Sequence, residues 1–341
     1  MEKIRSAVIG CGRIGCGFDD IDNKTIRTHA GSYFKNNETE LIALCDIDKQ
    51  KLKKYGKKYG IQNLYTNTET MFKNEKPEII SICTLVETHL MIVKQAAKYG
   101  IVGIFLEKPA SDSLGNMKEI LKICKKNNIS LQVDHQRRFS PFYHSIKEFL
   151  FGGKLGEIQY SIVYYGAGIA NTGTHIFDLL RLFFGDVKTI QAKKSSNKSK
   201  FSHDPNLDVQ IEFVNNITTN MIGMDLNHYG ICEIDIFGTL GRIRINLIND
   251  KIEYFKSSSS NPLSYKNLNS TKINIKNTKK SSIMLGLQNL VDNIKKNSPL
   301  LSTGEDGYKA LELIISSIKS SNTNKKYEFP LKDNSYKIKS K

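Results

Sequence analysis

The 341-residue chain has no tryptophan, only seven prolines and only six cysteines. Cys11, Cys16, Cys45, Cys83, Cys124 and Cys232 fall at no metal-ligand spacing. Most lie in apolar runs where cysteine behaves as a small hydrophobe, so neither a zinc site nor a disulfide framework is predicted. No apolar run approaches the roughly 18 residues of a membrane span, and the first residues enter a strand-like segment without a secretory hydrophobic region. A reducing cytoplasmic setting is expected. Arginine is scarce, so the formal charge of +16 rests on lysines, gathered with Ser and Asn at 193–200, 265–280 and 331–341 without interleaved aromatics. That pattern argues against a nucleic-acid platform and predicts a solvated basic surface.

What is present is ordinary for a soluble protein, 39% hydrophobic and 25% charged, and the length predicts two domains. Over 1–139, short apolar runs at 6–9, 41–45, 79–83, 102–106 and 130–133 alternate with helical periodicity. The clearest helix is 114–126, where Leu114, Met117, Ile120, Leu121 and Cys124 share a face after a Ser113 cap. This is the pattern of a doubly wound parallel sheet of Rossmann type. From 140 to 331 strands follow strands, at 158–165, 187–192, 208–214, 218–224, 231–237 and 242–247, after a helix near Pro141. Further helices are read at 175–184, 283–296 and 306–319. An α+β domain with a large, mostly antiparallel open sheet is expected, followed by a basic tail over 332–341. The Lys/Asn-rich stretch opening at 257–260 reads as an exposed loop, and no internal repeat is found. Ile231, Ile234, Ile236 and Phe237 suggest apolar residues on more than one face of that sheet, which predicts a homodimer or homotetramer.

The segment Ser6-Ala-Val-Ile-Gly-Cys-Gly-Arg-Ile-Gly15 joins a strand directly to Gly10-x-Gly12-x-x-Gly15. In this pattern the first glycine permits a tight turn, the second lets backbone approach a pyrophosphate, and the third permits close packing of helix on strand. A plain glycine turn is the alternative. Asp46 ends the second apolar run 31 positions after Gly15, against the roughly 20 usual for a ribose-binding acid, a difference explained if 18–27 is an insertion. A carboxylate there accepts from both ribose hydroxyls and repels a 2′-phosphate, so NAD is preferred to NADP; a solvated loop aspartate is the alternative, with Asp48 close behind. Asp19, Asp20 and Asp22 lack the spacing and terminal glutamate of a calcium loop and read as solvated.

Four segments together resemble the glucose–fructose oxidoreductase/inositol dehydrogenase/MocA family. They are the glycine loop with Asp46, Ser81-Ile-Cys-Thr-Leu-Val-Glu-Thr-His89, Glu107-Lys108-Pro109, and Gly173-Thr-His175-Ile-Phe-Asp178; Lys325-Lys-Tyr-Glu-Phe-Pro330 matches the family's usual end. The resemblance implies a Rossmann domain followed by a substrate-binding and oligomerisation domain. It implies that Gly10, Gly12, Arg13, Ile14, Gly15, Asp46, Thr84, Glu107, Lys108 and Arg138 serve the dinucleotide. It likewise implies that Lys108, Asn171, His175 and Asp178 serve the substrate, with Lys108 and His175 catalytic. Lys108 would stabilise a developing alkoxide; His175, oriented by Asp178 three residues on, would carry the hydroxyl proton. Two positions depart from the family, Asn171 where its dehydrogenases often have aspartate and Leu85 where many have proline. His89, His135 and His144 read as structural or substrate-orienting. The expectation is an NAD(P)-dependent oxidoreductase moving hydride between nicotinamide and a secondary hydroxyl or ketone of a sugar, cyclitol or nucleotide sugar. An NAD-dependent glycoside hydrolase and a non-catalytic dinucleotide sensor are the other readings. No nucleic acid, membrane or metal partner is expected.

Overall fold

Apolar runs too short for helices form the first sheet. The computed structural model describes residues 2–19, 25–258, 265–278, 280–332 and 334–338. Along the first part of the chain β1 (Ile4–Ile9), α1 (His29–Lys35), β2 (Thr39–Cys45), α2 (Lys49–Tyr59), β3 (Leu64–Tyr65), α3 (Thr68–Glu75), β4 (Ile79–Ile82), α4 (His89–Ala96), β5 (Gly103–Leu106), α5 (Leu114–Lys126) and β6 (Ser130–Val133) alternate. Helix starts follow their caps: Thr28, Asp48, Asn67 and Ser113 each accept an amide of the first turn, a contact worth about 1 kcal/mol. The strands pair in parallel in the order β3-β2-β1-β4-β5-β6. Chain direction across the sheet therefore reverses at β1, flanked by β2 and β4, and the carboxyl ends there form the crevice in which open α/β sheets bind ligands.

The stretch after the glycine loop differs from expectation. Instead of a full helix, Arg13–Gly17 makes one π-helical turn, with Cys16 and Gly17 amides both donating to the Gly12 carbonyl at 3.0 and 3.1 Å. Asp19 is buried rather than solvated: its carboxylate accepts from the Arg27 amide, the Thr28 amide and the Thr28 hydroxyl, and so fastens the chain just before α1. Asp20 and Asp22 lie outside the described residues.

The second part contains α6 (Pro141–Phe151), β7 (Ile158–Tyr165), α7 (Thr174–Phe184), β8 (Val187–Lys194), β9 (Leu207–Phe213), β10 (Thr218–Gly223), β11 (Glu233–Gly238), β12 (Gly241–Asn246), β13 (Lys251–Ser257) and β14 (Leu268–Thr271). Then come α8 (Ser282–Lys296), α9 (Gly304–Thr323) and β15 (Tyr327–Glu328). Among the described residues the second sheet runs β14-β13-β12-β11-β7-β10-β9-β8-β15, antiparallel except where β10 lies parallel to β7. Strand alternation buries one face, with Val163, Tyr165, Val209, Ile211, Met221, Ile234, Ile236, Ile243 and Ile245.

The chain groups into two compact units, Met1–Ser140 with Thr278–Leu311 and Asn334–Lys341, and Pro141–Asn277 with Glu312–Asp333. Sequence alone put 283–296 in the second domain, but α8 packs on the first sheet. Ile283, Leu287, Leu290 and Val291 join the core of β1, β2 and β4, and a Cβ on Gly103 would lie 2.7 Å from Ile294. Gln132 donates to the Gly286 carbonyl at 2.7 Å. Of the stretch read as a basic tail over 332–341, residues 334–338 pack on the first unit. Lys337 bridges to Ser113, the Ile338 amide donates to the Asp112 carbonyl, and the Gly115 amide donates to that of Asn334; 333 and 339–341 lie outside the described residues. Of the loop read at 257–260, residues 259–260 also lie outside them. No helix of the described residues is long and apolar enough to cross a membrane.

Candidate functional site

The glycine loop is built as its spacing predicts. Gly10 has φ +94°, and a Cβ there would lie 2.6 Å from the Cys83 carbonyl group, so the loop touches the end of β4. A Cβ on Gly15 would lie 1.9 Å from the Gly10 oxygen, which forces glycine at the turn. A Cβ on Gly12 would meet nothing within 4 Å, leaving the open backbone that a pyrophosphate needs. The residues therefore fit a dinucleotide. Ile14 is half-buried against the core, and Arg13 is exposed, its guanidinium carbon 4.6 Å from the centre of the Phe18 ring.

Asp46 closes this loop from β2: its carboxylate accepts the Cys11 amide at 2.6 Å and the Asp48 amide at 2.9 Å. Each oxygen keeps a second lone pair for a ribose hydroxyl. Asp48 is instead the cap of α2; the amides of Lys51 and Gln50 on its carboxylate hold its pKa below the ordinary value. Thr84 follows β4, its hydroxyl 2.7 Å from that of Thr88. Leu85 is exposed beside it. His89 is structural: both ring nitrogens face carbonyls, Ala110 at 3.2 Å and Thr84 at 3.3 Å, and burial lowers its pKa. Arg138 is buried and pairs with Asp306 at 3.1 Å, so its first role in this unit is to hold α9.

Glu107 and Lys108 leave the end of β5, Lys108 half-buried at the sheet's carboxyl edge. Glu107 is buried. Its carboxylate accepts from the Lys108 amide at 3.2 Å and faces His29 Nε2 at 3.1 Å; Asp134 Oδ2 lies 3.6 Å from the same nitrogen. His29 Nδ1 faces the Ser81 hydroxyl at 2.9 Å. Sequence reading missed His29, Ser81 and Asp134; the available signal was polar residues at the ends of apolar strands. Burial alone disfavours the imidazolium, but Cys83, Asp134 and Glu107 outweigh it and raise the pKa of His29 well above 6.5. Burial and the neighbouring Asp134 raise Glu107 as well. His29 has the larger consequence near neutrality. Its folded pKa exceeds the unfolded one, so its stabilising contribution is whole below about pH 6.5 and disappears as pH rises through the folded value. Thermal melts from about pH 6 to about pH 9 should show a steeper fall in Tm for the native chain than for His29→Gln. Parallel slopes would mean that the imidazole is neutral.

The second unit presents Asn171, His175 and Asp178. Ile169–Gly173 forms a π-helical turn that runs into α7. Asp204, buried, accepts the amides of Ala170 and Asn171, both at 2.8 Å, and Asn206 accepts the Gly168 amide at 3.0 Å. These two loop residues fix the turn and went unrecognised in the sequence because nothing local marks a distant loop as a cap. The Asn171 amide donates to the Ala167 carbonyl at 3.2 Å, which an aspartate cannot do. On α7, Ile176, Phe177 and Asp178 are buried while His175 is half-exposed in the first turn, unlike a core histidine. His175 and Asp178 stand three apart, a spacing that makes side chains neighbours on a helix. His135 is buried and His144 half-buried, each on its own segment.

Comparison with known proteins agrees with this architecture. Residues 4–135 match the family model described as oxidoreductase family, NAD-binding Rossmann fold, and residues 166–329 match its C-terminal alpha/beta domain. The chain is 24% identical to a D-apiose dehydrogenase of Paraburkholderia graminis over 57% of its own length, spanning about half (53%) of that relative. It is also 24% identical to a D-apiose dehydrogenase of Rhizobium rhizogenes, over 72% of this chain and 74% of the relative. Its fold superposes with a TM-score of 0.78 on the WlbA dehydrogenase of Bordetella pertussis, solved with NADH and UDP-GlcNAcA, at 18% identity, covering 97% of this chain and 100% of that one.

Proposed function

Because the chain belongs to the glucose–fructose oxidoreductase/inositol dehydrogenase/MocA family, we propose that it is an NAD-dependent oxidoreductase acting on a secondary hydroxyl or ketone of a sugar, cyclitol or nucleotide sugar. The observation that carries this reading is the placement of Lys108 and the glycine loop at the carboxyl ends of one parallel sheet. When bound, the nicotinamide supplies the hydride acceptor or donor. Gly10, Gly12, Arg13, Ile14 and Gly15 would hold the pyrophosphate, Asp46 the ribose, and Thr84, Glu107 and Arg138 would shape the remaining walls. Lys108 donates a hydrogen bond to the reacting oxygen and stabilises its alkoxide character as the C–H bond breaks. His175 takes the hydroxyl proton in oxidation and returns it in reduction, with Asp178 orienting the ring and Asn171 contacting the substrate. Retention of both Lys108 and His175 favours catalysis over a purely sensing role. All six cysteines are free thiols, which supports a reducing, cytoplasmic setting. The test is mass spectrometry of small molecules that co-purify, followed by an NADH-linked screen of D-apiose, myo-inositol and UDP-linked amino sugars. No nicotinamide reduction across such a panel counts against the reading.

Self-association of the second unit is part of the same proposal, although of the residues picked out in the sequence only Phe237 supports it. Ile234 and Ile236 point to the buried face and Ile231 precedes β11, whereas Tyr160, Ile162, Tyr164, Ile222 and Phe237 stand half-exposed on the other face. Tyr160 pairs with Phe237 and Tyr164 with Ile222 in register, making an apolar stripe suited to a second copy. Light scattering at micromolar concentration should give a dimer or tetramer. A monomer mass contradicts it.

A further inference from the structure

We propose that the buried side chains of His29, Glu107 and Asp134 form a binding site for one divalent transition-metal ion of zinc type, which fastens the start of α1 to the carboxyl ends of β5 and β6. The inference stands apart from the oxidoreductase reading, since it needs neither nicotinamide nor substrate.

Each of the three residues offers one ligand atom, and these atoms all lie within 4.8 Å of one another. His29 Nε2 is 3.1 Å from Glu107 Oε1 and 3.6 Å from Asp134 Oδ2. Zinc bonds of about 2.0–2.1 Å to nitrogen and carboxylate oxygen put neighbouring ligands of a tetrahedron about 3.3–3.4 Å apart, so this spacing fits a coordination shell as well as a hydrogen-bonded cluster. What separates the two is the number of atoms to be satisfied. A single proton joins Nε2 to one carboxylate oxygen, whether it sits on the ring or on Glu107. Asp134 then remains: its Oδ1 is buried with no hydrogen-bond partner among the described residues, and its Oδ2 accepts from the Gln136 side chain at 3.2 Å. A metal ion satisfies all three groups at once, and two carboxylates with a neutral imidazole set −2 against its +2.

The surroundings suit a metal-bound imidazole. The Ser81 hydroxyl donates to the Tyr33 oxygen at 3.0 Å and so accepts from His29 Nδ1 at 2.9 Å, a tautomer that turns the Nε2 lone pair toward the carboxylates. Phe105 stands edge-on to the ring at 4.7 Å and keeps that side apolar. The Glu107 side chain is 9% exposed, whereas those of His29 and Asp134 are fully buried, so the ion enters past Glu107. The Cys83 thiol also touches the ring but lies outside the group whose ligand atoms converge. One nitrogen and two oxygens are too few and too mixed for calcium or magnesium, which take about six or more oxygens; they leave a fourth tetrahedral position for water. The sequence pointed to no metal because these residues are far apart in it and meet only when β5 pairs with β6. The pH dependence of stability expected of His29 is that of the metal-free protein, from which the ion displaces the proton.

The test uses the untagged full-length protein, stripped with a chelator and dialysed against Zn2+, with neither NADH nor substrate present. It should retain one zinc per chain against a competing chelator. X-ray absorption should show nitrogen and oxygen neighbours at about 2.0–2.1 Å and no sulfur at about 2.3 Å. Ser81→Ala, which removes the acceptor for Nδ1, should weaken zinc binding about 10-fold or more. Glu107→Gln and Asp134→Asn, which each remove a charged ligand, should weaken it further. Replacing the exposed His203 and His228 with alanine should leave the affinity unchanged. Where a ligand variant does not fold, Ser81→Ala and the absorption spectrum of the native protein decide. No zinc retained, sulfur in the zinc shell, or an affinity that follows His203 and His228 rather than Asp134 and Ser81 overturns the proposal. A protein that holds zinc in this way yet reduces no nicotinamide would remove the oxidoreductase reading alone.

Discussion

Lys108→Met is expected to lower turnover by about 10²-fold or more while leaving NADH affinity within about twofold. The reason lies in where the side chain stands. Lys108 leaves the carboxyl end of β5, whereas the pyrophosphate contacts assigned here come from backbone around Gly10, Gly12 and Gly15 on the other side of β4. An ammonium that stabilises the developing alkoxide contributes in the transition state, so its loss appears in kcat rather than in dinucleotide binding. His175→Asn should behave alike, since an amide can hydrogen-bond but cannot carry the proton. If His175 is the base, the limb of the pH–rate profile that reports it should vanish in that variant. Asn171→Asp adds a refinement that the structure supplies. The carboxylate would favour the imidazolium of His175, but it also loses the hydrogen bond to the Ala167 carbonyl and places two acceptors together. A shift of that limb to higher pH should therefore come with a lower melting temperature.

Coenzyme preference should depend as strongly on Asp46. In the native protein NADH is expected to bind about 10- to 100-fold more tightly than NADPH, because the 2′-phosphate would meet a carboxylate, and such a ratio corresponds to about 1.4–2.8 kcal/mol. Asp46→Ala should narrow or reverse the ratio, but it also removes the acceptor for the Cys11 and Asp48 amides and so loosens the glycine loop for both coenzymes. Asp46→Asn separates the two effects, since it removes the charge while keeping one carbonyl acceptor. It should narrow the ratio with less loss of overall affinity. Fluorescence titration of each coenzyme checks this; NADPH tighter than NADH in the native protein would contradict the assignment.

The residues legible in advance were those whose signal is local. Gly10, Gly12 and Gly15 carry their geometry in their spacing, Ser113 and the 114–126 stripe define α5 from start to finish, and Asp46 ends an apolar strand. What escaped was long-range or brief. β3 is two residues long, too short for any period, and β13, Lys-Ile-Glu-Tyr-Phe-Lys-Ser, is charged enough to read as loop. The helix α8 is amphipathic in sequence, yet which sheet receives its apolar face depends on Gly103 and Phe139, far away in the chain. The His29 cluster is the extreme case. His29, Ser81, Glu107 and Asp134 come from four segments, and each looks ordinary until the parallel sheet brings its strand ends together.

The central claim is a net hydride transfer from a sugar carbinol to nicotinamide, and isotope transfer tests it most directly. With NAD+ and a substrate deuterated at each carbinol carbon in turn, one labelled position should deliver its deuterium to C4 of the nicotinamide, with one ketone formed per NADH. Release of a glycosyl leaving group with no net NADH and no ketone product would contradict the account and favour a hydrolase that oxidises its substrate only transiently.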